Sequence, residues 1–72
     1  MKTFTEEQLL NALEFLEPED RRLLKLRFGI DEDEPKSMEQ LAAIYNLTRE
    51  EIYDELRRVE RLARNKLIDL GY

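Results

Sequence analysis

Three short motifs of one kind determine where helices begin in this 72-residue chain. In each motif a threonine or serine is followed three residues later by glutamine or glutamate: Thr5 to Gln8, Ser37 to Gln40, and Thr48 to Glu51. The hydroxyl of the first residue can accept a hydrogen bond from the fourth backbone amide, and the fourth side chain can accept one from the first amide. Such a capping box satisfies amides that the first turn of a helix leaves without partners. The chain therefore contains at least three helices with defined starts.

A fourth helix start lies between the first two boxes, at Glu17–Pro18. Proline suits the first helical position because its missing N–H costs nothing there. Gly29 predicts the left-handed residue that ends this helix. Two glycines, two prolines and 8% aromatic residues are typical of helices with short connections rather than of a sheet. We predict a single all-α domain over residues 1–72, a small four-helix fold with a helix-turn-helix and a long C-terminal helix.

Apolar residues recur at helical spacing after each start and predict the core. The first two helices contribute Leu9, Leu10, Leu13 and Leu16, then Leu23, Leu24, Leu26 and Phe28. The third contributes Met38, Leu41, Ala42 and Ile44, with Tyr45 as a further candidate. The fourth contributes Ile52, Leu56, Val59, Leu62 or Ala63, Leu67 and Leu70.

The connection between the third and fourth helices bears most directly on function. Only Asn46 and Leu47 separate the predicted end of the third helix from the capping box of the fourth. Two helices joined so tightly cross steeply, which is the geometry of a helix-turn-helix. The small side chain of Ala42 lets the two helices approach closely. The fourth helix is predicted to run to about Leu70, and a helix of that length both closes the core and projects a working surface.

The composition excludes several classes of site. Because cysteine and histidine are absent, there is no disulfide, no zinc site built on these residues, and no catalysis that depends on them. A domain of this size also has little room for the concave site that acid–base catalysis needs. The acidic run Asp31–Glu34 lacks the spacing and turn glycine of an EF-hand loop. We predict no enzyme activity, no cofactor and no metal. No apolar stretch reaches the length of a signal-peptide core or a membrane span, which predicts a cytoplasmic protein.

Several segments together resemble a known family. Leu26-Arg27-Phe28-Gly29-Ile30 is followed by a six-residue loop, then by Ser37-Met38-Glu39-Gln40-Leu41-Ala42 and Asn46-Leu47-Thr48-Arg49-Glu50. This series resembles region 4 of bacterial RNA polymerase sigma-70-like sigma factors, and Leu16-Glu17-Pro18-Glu19 resembles the Leu-Thr-Pro-Arg that opens the family's second helix. The resemblance extends from Leu13 to about Ile52, which is more than half of the chain.

The resemblance implies a DNA-binding helix-turn-helix module of transcription initiation. In the family, the second helix of the unit reads the minus-35 promoter element in the major groove, and the domain docks on the flap of the RNA polymerase β subunit. Arg49 and Glu50 match the family's own arginine and glutamate. An arginine fork can grip phosphate or guanine, and glutamate can accept from cytosine N4. The predicted DNA-binding residues are Thr48, Arg49, Glu50, Tyr53, Arg57 and Arg58.

Charge supports an alternative. The chain has a formal net charge of -5, whereas surfaces that bind a phosphate backbone are basic. Glu51, Tyr53 and Asp54 stand where the family pattern has Arg, Arg and Gln, and Glu19 stands where it commonly has Arg. The alternative is an acidic protein-interaction module, such as a polymerase-binding regulator or sigma-like adaptor, that keeps the fold but has lost the DNA-binding face.

Two further alternatives concern the long fourth helix. Its arginines can form a solvated face held by pairs such as Asp54 with Arg58 and Glu60 with Arg64. The far end of the helix can instead support a homodimer through exposed Leu67, Ile68 and Leu70.

Overall fold

The computed structural model describes residues 4–30 and 34–72. They form four α-helices and no strand: α1 (Glu6–Leu13), α2 (Pro18–Phe28), α3 (Met38–Tyr45) and α4 (Arg49–Asp69). The predicted all-α class and the four predicted helix starts are confirmed. Residues 34–37 are not helical, which agrees with the loop expected around Pro35. The rest of the acidic run, Asp31–Asp33, and the metal-site question attached to it lie outside the described residues.

All three capping boxes form as predicted. The hydroxyls of Thr5, Ser37 and Thr48 accept from the amides of the residues three positions later. Each of those later side chains accepts in return from the amide of the cap residue, and the six donor–acceptor distances lie between 2.8 and 3.1 Å. By contrast, the side chain of Glu17 makes no capping hydrogen bond, and Pro18 occupies the first turn. The local sequence therefore determines where each helix starts.

A left-handed residue follows α2, α3 and α4. These residues are Gly29 (φ 74°), Asn46 (φ 55°) and Gly71 (φ 89°). After each of them, the next backbone amide bonds a carbonyl five residues earlier, at 2.9 to 3.1 Å. This is the six-to-one hydrogen bond of the Schellman motif, and it joins Ile30 to Lys25, Leu47 to Ala42, and Tyr72 to Leu67. Gly29 confirms the predicted stop of α2.

The long helix α4 organises the packing. It contacts α1, α2 and α3, and α2 also packs against α3. At 1.5 Å per residue its 21 residues span about 31 Å, close to the 35 Å long dimension of the molecule. No polar or charged residue is buried among the described residues. The buried apolar side chains are Ala12, Leu13, Leu23, Leu24, Leu26, Ile30, Leu41, Ile52, Leu56, Val59, Ala63 and Leu67.

Some core predictions were wrong. Phe28 is 48% exposed because it lies five positions after Leu23, which places it about 140° around the helix from that buried residue. Ile44 is 44% exposed. On α3 the covered stripe follows the i, i+3, i+4, i+7 pattern through Met38, Leu41, Ala42 and Tyr45, and Ile44 lies off it.

The burial of side chains along α4 decides between Leu62 and Ala63 as the core residue and tests the other apolar positions near its end. Ala63 is buried and its neighbour Leu62 is 40% exposed. Leu70 was also placed wrongly in the core, because it follows the last helical residue and is exposed. Leu67, expected on an exposed dimer surface, is buried, whereas Ile68 and Leu70 are exposed. Homodimerisation stays a prediction.

Candidate nucleic-acid interface and apolar cleft

The turn between α3 and α4 fixes the direction of α4 relative to α3. Asn46 adopts a left-handed conformation (φ 55°, ψ 45°), and the Leu47 side chain packs against the core. Thr48 then caps α4, and its hydroxyl oxygen accepts from the Glu51 amide at 3.1 Å. A hydroxyl that accepts one hydrogen bond can still donate its proton. Thr48 can therefore hold the helix start and donate to a phosphate oxygen.

Four of the six predicted DNA-binding side chains share one exposed face of α4. Arg49, Glu50, Tyr53 and Arg57 are all exposed, and at 100° per residue they fall within about 100° of arc. We call these four residues the outer face. The Arg49 side chain is 75% exposed, and one of its terminal nitrogens lies 4.0 Å from an oxygen of the Glu39 carboxylate. Such an exposed pair is weak, so the Arg49 guanidinium can turn towards a ligand.

Tyr53 and Arg57 make contact one helical turn apart. The Arg57 guanidinium carbon lies 5.7 Å from the centre of the Tyr53 ring, within the range of a cation–π interaction. Tyr53 itself is half-exposed. The contact holds the Arg57 guanidinium against the helix while leaving the tyrosine edge open to solvent.

Arg58 has different surroundings from the outer face. One of its nitrogens lies 2.9 Å from an oxygen of Asp20 in α2 and 2.8 Å from an oxygen of Glu55, and its other terminal nitrogen lies 3.4 Å from the second Asp20 oxygen. The hydrogen bond that Arg58 donates to Asp20, with the one it donates to Glu55, raises the pKa of Arg58 above its ordinary value. Arg58 thus links α4 to α2. Among the described residues, neither the predicted pair with Asp54 nor that between Glu60 and Arg64 forms.

The two halves of α4 carry opposite charge. Its first seven residues contain Arg49 and four acids, whereas the ten residues 57–66 contain five bases and one acid. Acids near a helix N-terminus and bases towards its C-terminus are favoured by the helix dipole. The same distribution places carboxylates where phosphates would approach. One of them, Glu51, accepts from the Thr48 amide, and this hydrogen bond lowers the pKa of its carboxyl.

An apolar cleft beside the second half of α4 was missed by sequence reasoning. Residues from α1, α2 and α4, together with Phe4 before α1, enclose about 250 Å³. The lining consists of Phe4, Leu9, Leu24, Phe28, Glu60, Ala63, Arg64 and Leu67. The exposed ring of Phe28 forms part of its wall. The signal in the sequence was a large apolar side chain lying off the buried stripe of α2, directly before the Gly29 stop.

The described residues hold neither a metal-binding group nor a helix that could cross a membrane. Across residues 4–30 and 34–72, no three His, Cys, Asp or Glu side chains are grouped so that they could hold a metal ion. In the same residues, no helix combines the length and apolar character that a membrane crossing requires.

Comparison with known proteins agrees with this architecture. Residues 12–67 match the family model described as Sigma-70, region 4. The chain is similar to the RNA polymerase sigma factor SigA of Microcystis aeruginosa, with 39% identity over 66 residues, which is 92% of this chain and 15% of that protein. It is 39% identical over 61 residues to SigA of Clostridium acetobutylicum, covering 85% of this chain and 15% of the relative. It is 41% identical over 56 residues to the chloroplastic RNA polymerase sigma factor sigF of Arabidopsis thaliana, covering 76% of this chain and 10% of that protein.

These relatives are much longer proteins. This chain spans only about 15% of the length of the SigA relatives. The comparison with solved structures gave no significant match.

Proposed function

Because the chain belongs to the sigma-70 region 4 family, we propose that it is a helix-turn-helix domain of transcription initiation that places the first half of α4 in the major groove of a minus-35 promoter element. The outer face carries this proposal, since it presents two arginines and a tyrosine on the second helix of the unit. An α-helix fits the major groove, where base edges present distinct donors and acceptors. All 72 residues act as one domain in this proposal, in the cytoplasm together with the polymerase.

Each residue of the outer face has a chemistry suited to this role. Arg49, at the first helical position, can grip a phosphate or pair bidentately with guanine. Glu50 can accept from cytosine N4. Arg57, steadied by the Tyr53 ring, can bond a backbone phosphate, and the Thr48 hydroxyl can donate to another. Arg58 would contribute only if its bonds to α2 were given up.

The acids beside the outer face predict weak binding by the domain alone. Each phosphate contact contributes about 0.9 to the slope of log affinity against log salt, so contacts from Arg49 and Arg57 give a slope of about 2. Nearby carboxylates oppose even this attraction. When the domain is held by a polymerase already at the promoter, a high effective concentration offsets weak intrinsic affinity.

The apolar cleft supports the second half of the proposal, docking on the β flap of the polymerase. A helix or loop of the flap can bury apolar side chains against Leu24, Phe28 and Leu67. An exposed aromatic ring at the edge of an apolar groove is the usual form of an interface anchor. The cleft and the outer face use different residues, so the domain can contact polymerase and DNA together.

The DNA half is tested by fluorescence anisotropy with a duplex that carries a minus-35-like element, over a salt series from low ionic strength. We expect specific binding that weakens with salt, and Arg57→Gln should reduce the salt slope by about one unit. Lys66→Gln is the matched control, because it removes the same charge from a residue outside the outer face. The Lys66 ammonium lies over the ring of Phe15. Equal slopes for both variants, or no binding at low salt, would contradict this role for the outer face.

The polymerase half is tested by binding of the domain to the isolated β flap. Phe28→Ser should weaken binding about tenfold or more, as expected for loss of an aromatic anchor. Phe15→Ser is the matched control, because Phe15 is 59% exposed against 48% for Phe28 and lies outside the cleft. Equal losses in both variants would place the flap elsewhere.

A further inference from the structure

A second cleft lies between the start of α2, the end of α3 and the first half of α4. It encloses about 480 Å³, which is within the roughly 300–1,000 Å³ typical of binding clefts. Its floor is apolar, formed by Leu23, Leu47 and Ile52. Four carboxylates from α2 and α4 also line it. We call it the acidic cleft.

The carboxylates of the acidic cleft exceed its cations. Arg58 is the one basic residue among the described residues of the lining, and it is already bonded to Asp20 and Glu55. Arg22, whose guanidinium lies over the ring of Tyr45 in the lining, forms no ion pair with Glu19 or Glu51 among the described residues. In the described residues, the Glu19 side chain has no ion pair or hydrogen bond. Within residues 4–30 and 34–72, the Glu51 carboxylate bonds only the Thr48 amide, through one of its two oxygens.

The lining also contains a polar group without a partner. Tyr45 is a partly buried residue, and its hydroxyl oxygen is covered and has no hydrogen-bond partner among the described residues. An unpaired buried hydroxyl costs free energy that an incoming donor would recover. The Arg22 guanidinium lies over the Tyr45 ring, 5.7 Å from its centre, and does not satisfy the hydroxyl.

The chemistry of the acidic cleft selects its occupant. A phosphate would be repelled by the carboxylates, and no metal-binding group occurs among the described residues. A lysine or arginine side chain fits each feature. Its aliphatic stem can lie on the apolar floor, its charged head can bond Glu19 and Glu51, and a remaining N–H can reach Tyr45.

We infer that the acidic cleft binds a lysine or arginine side chain from a basic segment of a partner protein. This goes beyond promoter reading and does not depend on it. The site lies beside the outer face but uses different side chains, Glu19 and Glu51 in place of Arg49 and Arg57. A partner bound there would neutralise carboxylates close to the DNA-reading surface and thereby strengthen the attraction of α4 for phosphate.

The test uses a tetralysine amide peptide as the probe, titrated into the isotopically labelled 72-residue domain at low salt and followed by NMR. Amide shifts are expected around Leu47 and Ile52. Glu19→Gln with Glu51→Gln should weaken peptide binding about fivefold or more. Glutamine at position 51 preserves the capping box, as glutamine does in the boxes of α1 and α3. The control is Glu6→Gln with Glu7→Gln, which removes two exposed acids from the first turn of α1.

The outcomes separate this inference from the proposed function. Loss of peptide binding in the cleft variant alone, with DNA binding retained or increased, supports it. Equal losses in both double variants, or no shifts near Leu47, overturn it, because the peptide then responds only to net charge. Shifts in the cleft that grow with protein concentration in the absence of peptide would assign it to a second copy of the chain and also overturn the inference. Failure of DNA binding in the unaltered domain would affect only the proposed function.

Discussion

Replacing Gly29 with alanine should destabilise the domain, and it should do so more than the same substitution at Gly71, the other glycine at a helix end. Gly29 has φ +74°, and a Cβ added there would lie 2.8 Å from the Pro35 nitrogen, 3.0 Å from its Cδ and 3.1 Å from the Glu34 carbonyl carbon. These atoms belong to backbone and a proline ring, which cannot rotate away. The substitution therefore combines a left-handed conformation with a steric clash.

The expected magnitude follows from these two effects. A left-handed conformation costs an alanine about 1–2 kcal/mol, and forcing a methyl group into a filled space costs about 1–3 kcal/mol. The lower entropy of the unfolded alanine chain returns about 0.4–1 kcal/mol. The free energy of unfolding should therefore fall by about 1–4.6 kcal/mol, compared with the roughly 4–11 kcal/mol typical of 72 residues.

Urea denaturation followed by circular dichroism measures this change, and Gly71→Ala provides the matched control. Gly71 has a similar φ of +89°, but a Cβ there would meet nothing within 4 Å, and the end of α4 can fray at little cost. We expect a loss below about 1 kcal/mol for this variant. Equal losses at the two positions would refute the steric argument. A Gly29→Ala loss below about 0.5 kcal/mol would refute the conformational argument as well.

Three further predictions concern the α4 cap, the link between α2 and α4, and the core. The pKa of Glu51 is lowered in the folded state, so its stabilising effect is present above the unfolded pKa and is lost as pH falls through the lower folded value. Glu51→Gln should therefore reduce the fall in melting temperature that the domain shows as pH is lowered below about 4. Asp20→Asn should lower unfolding free energy by about 0.5–1.5 kcal/mol in urea titrations, whereas Asp54→Asn, at an acid with no ion pair among the described residues, should not. Leu41→Ala should cost about 2–5 kcal/mol by the same measurement, and Ile44→Ala, at an exposed position, less than about 1 kcal/mol.

The candidate site could be predicted in part. The capping box defines where α4 starts, and helical spacing puts Arg49, Tyr53 and Arg57 on one face of it. These positions follow from distances along a single helix, which the sequence defines directly. Their role in DNA binding stays a prediction. Arg58 was grouped with them on the same grounds, yet its guanidinium bonds Asp20, 38 residues away.

The sequence by itself determined the helix ends. Capping boxes such as Thr48 to Glu51, and the stop at Gly29, depend on hydrogen bonds between residues three to five apart, so no distant contact is needed to form them. Only the tertiary structure decided which apolar residues are covered and which charges meet. Phe28 has the same apolar character as its buried neighbours, but burial depends on where another helix passes. That position results from packing across the whole domain, and it turns an expected core residue into the wall of a cleft.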